Sequence, residues 1–259
     1  MTNIKDAEEF TDEEIEKILS ENDLRYLTEQ IKDFPGLDLI LINPISQLFN
    51  NQLGFLVNEV RAIPGDIVEL GVHTGNNATQ FLWHMPEKKY FGFDTFTGYT
   101  KKDMDEDPES DSLKSNMKEN RWVHDKQKTV ERIEDFNKKI NQIARILLNR
   151  QDMSFSYDFE IIKGDIKRTV PKAVKEGNMK EVAFLYVDCN AYLPAIKGIE
   201  AIYPILSDGG MICIDEHKDG GETKALNEIA EKYGLKVEET GFQFETSVHS
   251  NPSKYIVKK

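Results

Sequence analysis

Five short strand-like runs, four of them followed by helix-patterned stretches, constrain this chain more than any other feature. They read DIVELGV, YFGFD, YDFEIIKGD, VAFLYVD and GGMICID. Near-continuous apolar runs of this length suit strands covered on both faces, and strands that alternate with helices form a parallel sheet. The intervening stretches fit. Residues from about Thr74 to Trp83 read as a helix, as does IKRTVPKAV after the third run. Between the fourth and fifth runs, Leu193, Ile196, Ile199, Ile202 and Leu206 recur on one side of a helix that Pro204 must kink or end. A helix from about Glu222 to Tyr233 follows the last run, and LKVEET and SKYIVKK read as late strands. The expected class is α/β, a mostly parallel sheet with helices on both faces.

Two regions stand outside this rhythm. Residues 1–62 read as an N-terminal helical extension. It has a charged helix-forming segment up to about Phe34 and a second helix, roughly Ile45 to Arg61, bearing Leu48, Leu53, Leu56, Val57 and Val60. Residues 63–259 form the main domain, interrupted at about 101–150 by an insertion. That insertion opens with KKDMDEDPESDS, too polar to pack, and continues as TVERIEDFNKKINQIARILLN with an apolar stripe at helical spacing. Placed after the second strand, it would overhang the sheet edge where ligands bind. A lid and a partner-contacting excursion are both open readings.

The formal charge of −13 over 259 residues repels a phosphate backbone and an anionic membrane surface, so neither nucleic acid nor a membrane is the expected partner. No run approaches the ~20 apolar residues of a membrane span. The acidic start lacks the pattern of a signal peptide. The two cysteines, Cys189 and Cys213, lie in or beside apolar runs without metal-ligand spacing and read as buried thiols. A cytoplasmic location is expected.

The first strand runs into ELGVHTGNNATQF, a glycine-bearing turn before a helix, where backbone approaches a ligand closely. The pattern is Gly71-x-x-x-Gly75, with His73 where a dinucleotide fold places its second glycine. A histidine there obstructs a pyrophosphate, and Glu69 repels one. Glu69 suits an ammonium group instead, and Asp94, 25 residues later at the end of the second strand, suits ribose hydroxyls. A ribose and an amino acid without phosphate describe S-adenosylmethionine. Val72, Thr95 and Gly164 flank these positions and are expected to line the same site. Asp165 falls by analogy near the adenine amino group, with an N-cap for the next helix as its alternative. For Glu69 the alternative is an acid that caps the glycine turn.

The fourth and fifth runs stop at Asp188 and at Asp215-Glu216. If those strands are neighbours, three carboxylates converge at one sheet edge, where they repel one another unless protonated or bound to a cation. A hard divalent ion such as Mg²⁺ resolves the conflict, and Asn190 offers a further oxygen. The alternative is that one acid caps a helix while the others face solvent. Asp188 and His217 compete as the base that removes a proton from an acceptor hydroxyl. No partner pattern marks His73, His84, His124 or His249.

PGDIVELGVHTGNNATQF, YFGFDTFTGY, IIKGDIKRTVP and VAFLYVDCNAYLPAIKGIEAIYPILSDGGMICIDEH together resemble the macrocin/mycinamicin-type sugar O-methyltransferases, over roughly Asn43 to Ile229. The resemblance implies a Rossmann-like class I methyltransferase with a seven-stranded sheet, dependent on S-adenosylmethionine and Mg²⁺. It also implies an oligomer that methylates a hydroxyl of a sugar or glycosylated metabolite. By position, Glu69, Gly71, Asp94 and Asp165 would hold the cofactor, and Asp188, Asp215 and Glu216 the metal. Relatives usually carry a second acid at Asn190, two aspartates at Asp215-Glu216 and an aromatic at His217, so acceptor preference does not carry over. A catechol-type methyltransferase is the nearest rival, followed by a nicotinamide-dependent oxidoreductase and a non-catalytic cofactor-binding subunit.

Overall fold

The computed structural model describes residues 52–99, 123–147, 156–215, 220–242 and 252–259. Contacts divide the chain into two compact units, Met1–Asn51 with Ile133–Ser156, and Gln52–Arg132 with Tyr157–Lys259. The sheet lies within the second unit. The expected helix up to Phe34, the polar start of the insertion, Trp122, Glu216, His217 and His249 lie outside the described residues.

The second unit opens with helix α1 (Gln52–Val60), then β1 (Asp66–Leu70), α2 (Asn76–His84) and β2 (Tyr90–Asp94). Helix α3 (Lys126–Leu147) carries the stripe read from the insertion, and its residues from Ile133 onwards belong to the first unit. The chain continues through β3 (Phe159–Lys163), α4 (Ile166–Lys175), β4 (Val182–Val187), α5 (Tyr192–Ile202), β5 (Leu206–Ile214), α6 (Gly221–Tyr233), β6 (Glu238–Glu239) and β7 (Lys254–Val257). The seven strands lie in the order β3-β2-β1-β4-β5-β7-β6. The first five are parallel and β7 is antiparallel to both its neighbours.

The burial of each strand follows its place in that order. Central β4 is buried at all six positions, whereas edge strand β3 buries only Ile161. Alternation sorts the side chains. Val68, Leu70, Leu185, Val187, Ile212 and Ile214 form one core with Val170 of α4, Ile199 of α5 and Leu226 of α6. Phe184 and Tyr186 face the other way and meet Phe81 of α2 edge-on, with ring centroids 5.6 and 5.5 Å apart. Covering both faces leaves the strand ends as the place where the chain can present polar groups.

Two expectations shift in detail. Leu206 is not the end of the apolar helix. Helix α5 stops at Ile202, one 3₁₀ turn carries Pro204, and Leu206 begins β5, buried. Proline removes a helical donor and crowds the preceding turn, which explains the stop. LKVEET supplies only the two-residue strand β6. Cys189 and Cys213 are free and buried, as their apolar surroundings indicate. Among the described residues no helix is long and apolar enough to cross a membrane.

Candidate active site

Strand order reverses between β1 and β4, since β1 connects towards β2 on one side while β4 connects towards β5 on the other. Such a switch point opens a crevice at the carboxyl ends of the strands. The registers level those ends. Leu70 pairs with Val187, and Val187 with Ile214, so Asp188 and Asp215 leave neighbouring strands together. The ladder continues one step further, with Asp188 N–H donating to Leu70 O at 2.8 Å and Asp215 N–H to Val187 O at 3.0 Å.

The glycine turn sits on the other side of this crevice. Gly71 has φ +95°, and a Cβ there would lie 1.9 Å from the carbonyl oxygen of Asp188, so only glycine lets β1 pass β4 at this point. The turn closes with Gly75 N–H donating to Val72 O at 2.9 Å, and Gly75 stands at the N-cap of α2. Asp94 shapes it from the end of β2. Its Oδ2 accepts from the N–H groups of Val72 (2.9 Å) and His73 (2.8 Å), and its Oδ1 from Phe96 N–H (2.6 Å). A carboxylate accepts about four hydrogen bonds, so room remains for a ligand donor. Gly164 N–H donates to Asp94 O, which brings the end of β3 level with the same edge. Asp165 caps α4 by accepting from Lys167 N–H at 3.0 Å, the alternative its position allowed, and its Oδ2 lies 3.9 Å from the Lys167 ammonium. The Thr95 hydroxyl is 3.4 Å from Gly98 O and serves its own turn.

Glu69 is fully buried. Its Oε1 accepts from Asn77 Nδ2 at 2.9 Å and its Oε2 from the Tyr90 hydroxyl. Desolvation pushes its carboxyl up to about 8, against the lowering effect of both hydrogen bonds. The Asn77 amide that donates to Glu69 also reaches Asp188 Oδ2 at 3.2 Å. The sign of the resulting pH dependence follows. Folding holds a proton on Glu69 that the unfolded chain releases near the usual carboxylate range, so its stability contribution is complete below that range and is lost as pH rises through about 8. Glu69→Gln cannot titrate, and its melting temperature is expected to fall less than that of the wild type over this window in parallel calorimetric scans.

The acids gather as their strands imply. Desolvation first, then Asp215, Glu222 and Glu69, hold the Asp188 carboxyl well above the ordinary range. Asp215 Oδ1 accepts from the Tyr186 hydroxyl, and Asn190 Nδ2 lies 3.4 Å from Asp188 Oδ1. Glu222, buried in the first turn of α6, accepts at 2.5 Å from the N–H of Asn190, which is left-handed at φ +52°. Tyr99 donates its hydroxyl to Cys189 O. Sequence reasoning missed Asn77, Tyr99, Tyr186 and Glu222. Glu222 opens a helix, where an acid is ordinary; Asn77 lies in the first turn of α2, where a polar residue is equally ordinary, and Tyr186 sits inside β4, where the core explains it. Pairing that far apart in sequence leaves no local signal.

Two observations bear on what the site holds. Asn76 Oδ1 and Asn77 Oδ1 are buried beside the glycine turn with no donor among the described residues. An ammonium group supplies the donors such acceptors need, which fits the amino-acid end of S-adenosylmethionine. For a metal, the described residues contribute Asp188 and Asp215. Among them no group of three or more His, Cys, Asp or Glu is arranged to hold an ion. The two aspartates still fit a divalent cation chemically, since both are hard oxygen donors and their mutual repulsion is what a cation relieves.

The comparisons with known proteins follow this geometry. The family model of macrocin O-methyltransferase (TylF) matches residues 47–238. Among solved structures, the calicheamicin methyltransferase CalS11 aligns with TM-score 0.55 and 18% identity, over 95% of this chain and 90% of that one. An apo structure of CalS11, described as a TDP-rhamnose 3′-O-methyltransferase, aligns with TM-score 0.52 and 18% identity over 95% and 92%. The O-methyltransferase NovP aligns with TM-score 0.57 and 16% identity over 95% and 97%. At such identities the likeness speaks for the fold. No curated protein matches the chain. Matched over most of its length and built on the expected sheet, the chain belongs to the macrocin O-methyltransferase (TylF) family.

Proposed function

We propose that this enzyme transfers a methyl group from S-adenosylmethionine to a hydroxyl of a sugar or glycosylated metabolite, with a divalent cation at the acidic edge. The observation that carries this reading is the hydrogen bond from Asn77 to Asp188, which joins the glycine turn and its unpartnered acceptors to the acids leaving β4 and β5. S-adenosylmethionine, when bound, supplies an electrophilic methyl group on a sulfonium. The glycine turn and Asp94 would hold its ribose, Asp165 by analogy its adenine end, and the amide oxygens of Asn76 and Asn77 would accept from its ammonium. Asp188 and Asp215 would hold the cation, and a cation there would lower the pKa of an acceptor hydroxyl. Asp188, at the edge of that site, takes the hydroxyl proton as methyl transfer proceeds. Asn77 and Asn190 orient the Asp188 carboxylate for that step.

The neighbour described as acting on TDP-rhamnose supports a sugar acceptor, and the family resemblance supports an oligomer. The test is methyl transfer from S-adenosylmethionine to TDP-rhamnose and to catechol, each with and without excess chelator. Turnover of the sugar that falls at least tenfold with chelator is expected. Undiminished turnover in chelator removes the metal from the mechanism, and turnover of catechol alone replaces the sugar reading with a phenolic one.

A further inference from the structure

We propose that Thr129 is a positioning residue for the methyl donor's loop, so that the segment entering α3 belongs to the cofactor-binding apparatus. This rests on the reading of the glycine turn as the donor site. His73 stands within that turn, between Gly71 and Gly75, at φ +48°. A non-glycine residue held left-handed is strained and persists only where its surroundings fix it. Two elements do so. Asp94 accepts from the His73 N–H at 2.8 Å, and the Thr129 hydroxyl donates to the His73 carbonyl at 2.7 Å. Thr129 is fully buried, and the other acceptor near its hydroxyl, Asp125 O, is more distant at 3.4 Å.

The approach of this segment is ordered as well. Val123 forms an antiparallel bridge with Thr97, and His124 N–H donates to Phe96 O at 3.4 Å. The rings of His124 and His73 lie 5.3 Å apart at a tilt of 56°. Residues 123–129 thus run along the turn after β2 and end against the glycine turn. Without the Thr129 hydroxyl the His73 carbonyl loses the bond that holds it, and the cost of ordering the turn falls on donor binding. Thr129 is 56 positions downstream of His73, so the contact has no local sequence signal.

Calorimetric titration of the full chain with S-adenosylhomocysteine tests this. Thr129→Val keeps the shape and removes the donor, and its Kd is expected to rise about fivefold, the effect of one neutral hydrogen bond. Thr129→Ser restores the donor and is expected to bind as the wild type, although its lost methyl lowers the melting temperature. Equal binding by Thr129→Val and the wild type, or equal weakening in both variants, overturns the proposal. Should Thr129→Val not fold, hydrogen exchange on the wild type decides. Residues 123–129 are expected to gain protection when S-adenosylhomocysteine binds, and unchanged exchange there overturns the proposal. A wild type that does not bind S-adenosylhomocysteine overturns the donor reading, and this proposal with it. Donor binding without a response from Thr129 overturns this proposal alone.

Discussion

Gly71→Ala is expected to lower the melting temperature by about 10 °C or more and to abolish binding of S-adenosylhomocysteine. The added methyl carbon would lie 1.9 Å from the Asp188 carbonyl oxygen and 2.6 Å from its carbon. Neither is the movable end of a side chain. Relief requires β1 and β4 to part where Asp188 N–H bonds to Leu70 O, at the centre of the sheet. The φ of +95° adds strain that alanine does not relieve by moving locally. Overpacking of this kind costs on the order of 3 kcal/mol. Gly177→Ala provides the control. Its φ of +75° is also left-handed, but no heavy atom lies within 4 Å of the added carbon, so a loss of only about 1 kcal/mol is expected. Thermal unfolding of both variants checks the contrast, and a Gly71→Ala protein that melts with the wild type would refute the close approach.

Gly71 also shows what was legible beforehand. The sheet could be read because burial on both faces leaves an unbroken apolar run, as in the six buried residues of β4. The acids could be read because Asp188 and Asp215 interrupt such runs, and the two strands end level at Val187 and Ile214 despite a register shift near their start. The roles within the site were less legible. Asp94 reads from spacing as a ribose ligand, yet the structure also gives it the glycine turn to shape, through bonds to Val72 and His73. Glu69 reads as an ammonium partner, and the structure shows it fully buried with Asn77 between it and Asp188. Sequence spacing fixes which strand end a residue occupies. It does not fix which neighbour from another element fills the space beside it. Glu222 reaching Asn190 and Thr129 reaching His73 are contacts of that second kind.

Asp188→Asn is expected to reduce turnover by about 10²–10⁴-fold while leaving the fold intact, because a positioned general base contributes that much to rate. Asparagine keeps an oxygen that can accept from Asn77, so S-adenosylhomocysteine affinity is expected to change by no more than a few-fold. Stability should move the other way. Folding raises the Asp188 pKa above its unfolded value through desolvation and the charges of Asp215, Glu222 and Glu69. Its favourable contribution is therefore present at pH below the ordinary carboxylate range and is lost as pH rises through the folded value. Asparagine never carries the charge, so in metal-free buffer the variant should melt above the wild type at neutral pH. Added Mg²⁺ separates repulsion from mere burial. A cation held by Asp188 and Asp215 stabilises the wild type by mass action and offsets the repulsion, whereas the variant has lost a ligand and should respond little. A wild type and an Asp188→Asn protein with the same melting temperature and the same magnesium response would show that Asp188 is neither strained by its neighbours nor a ligand. Retained turnover in the variant would remove it as the base. Both outcomes are read from a single residue because Asp188 stands both among the acids that crowd the strand ends and at the edge where the acceptor hydroxyl would be deprotonated.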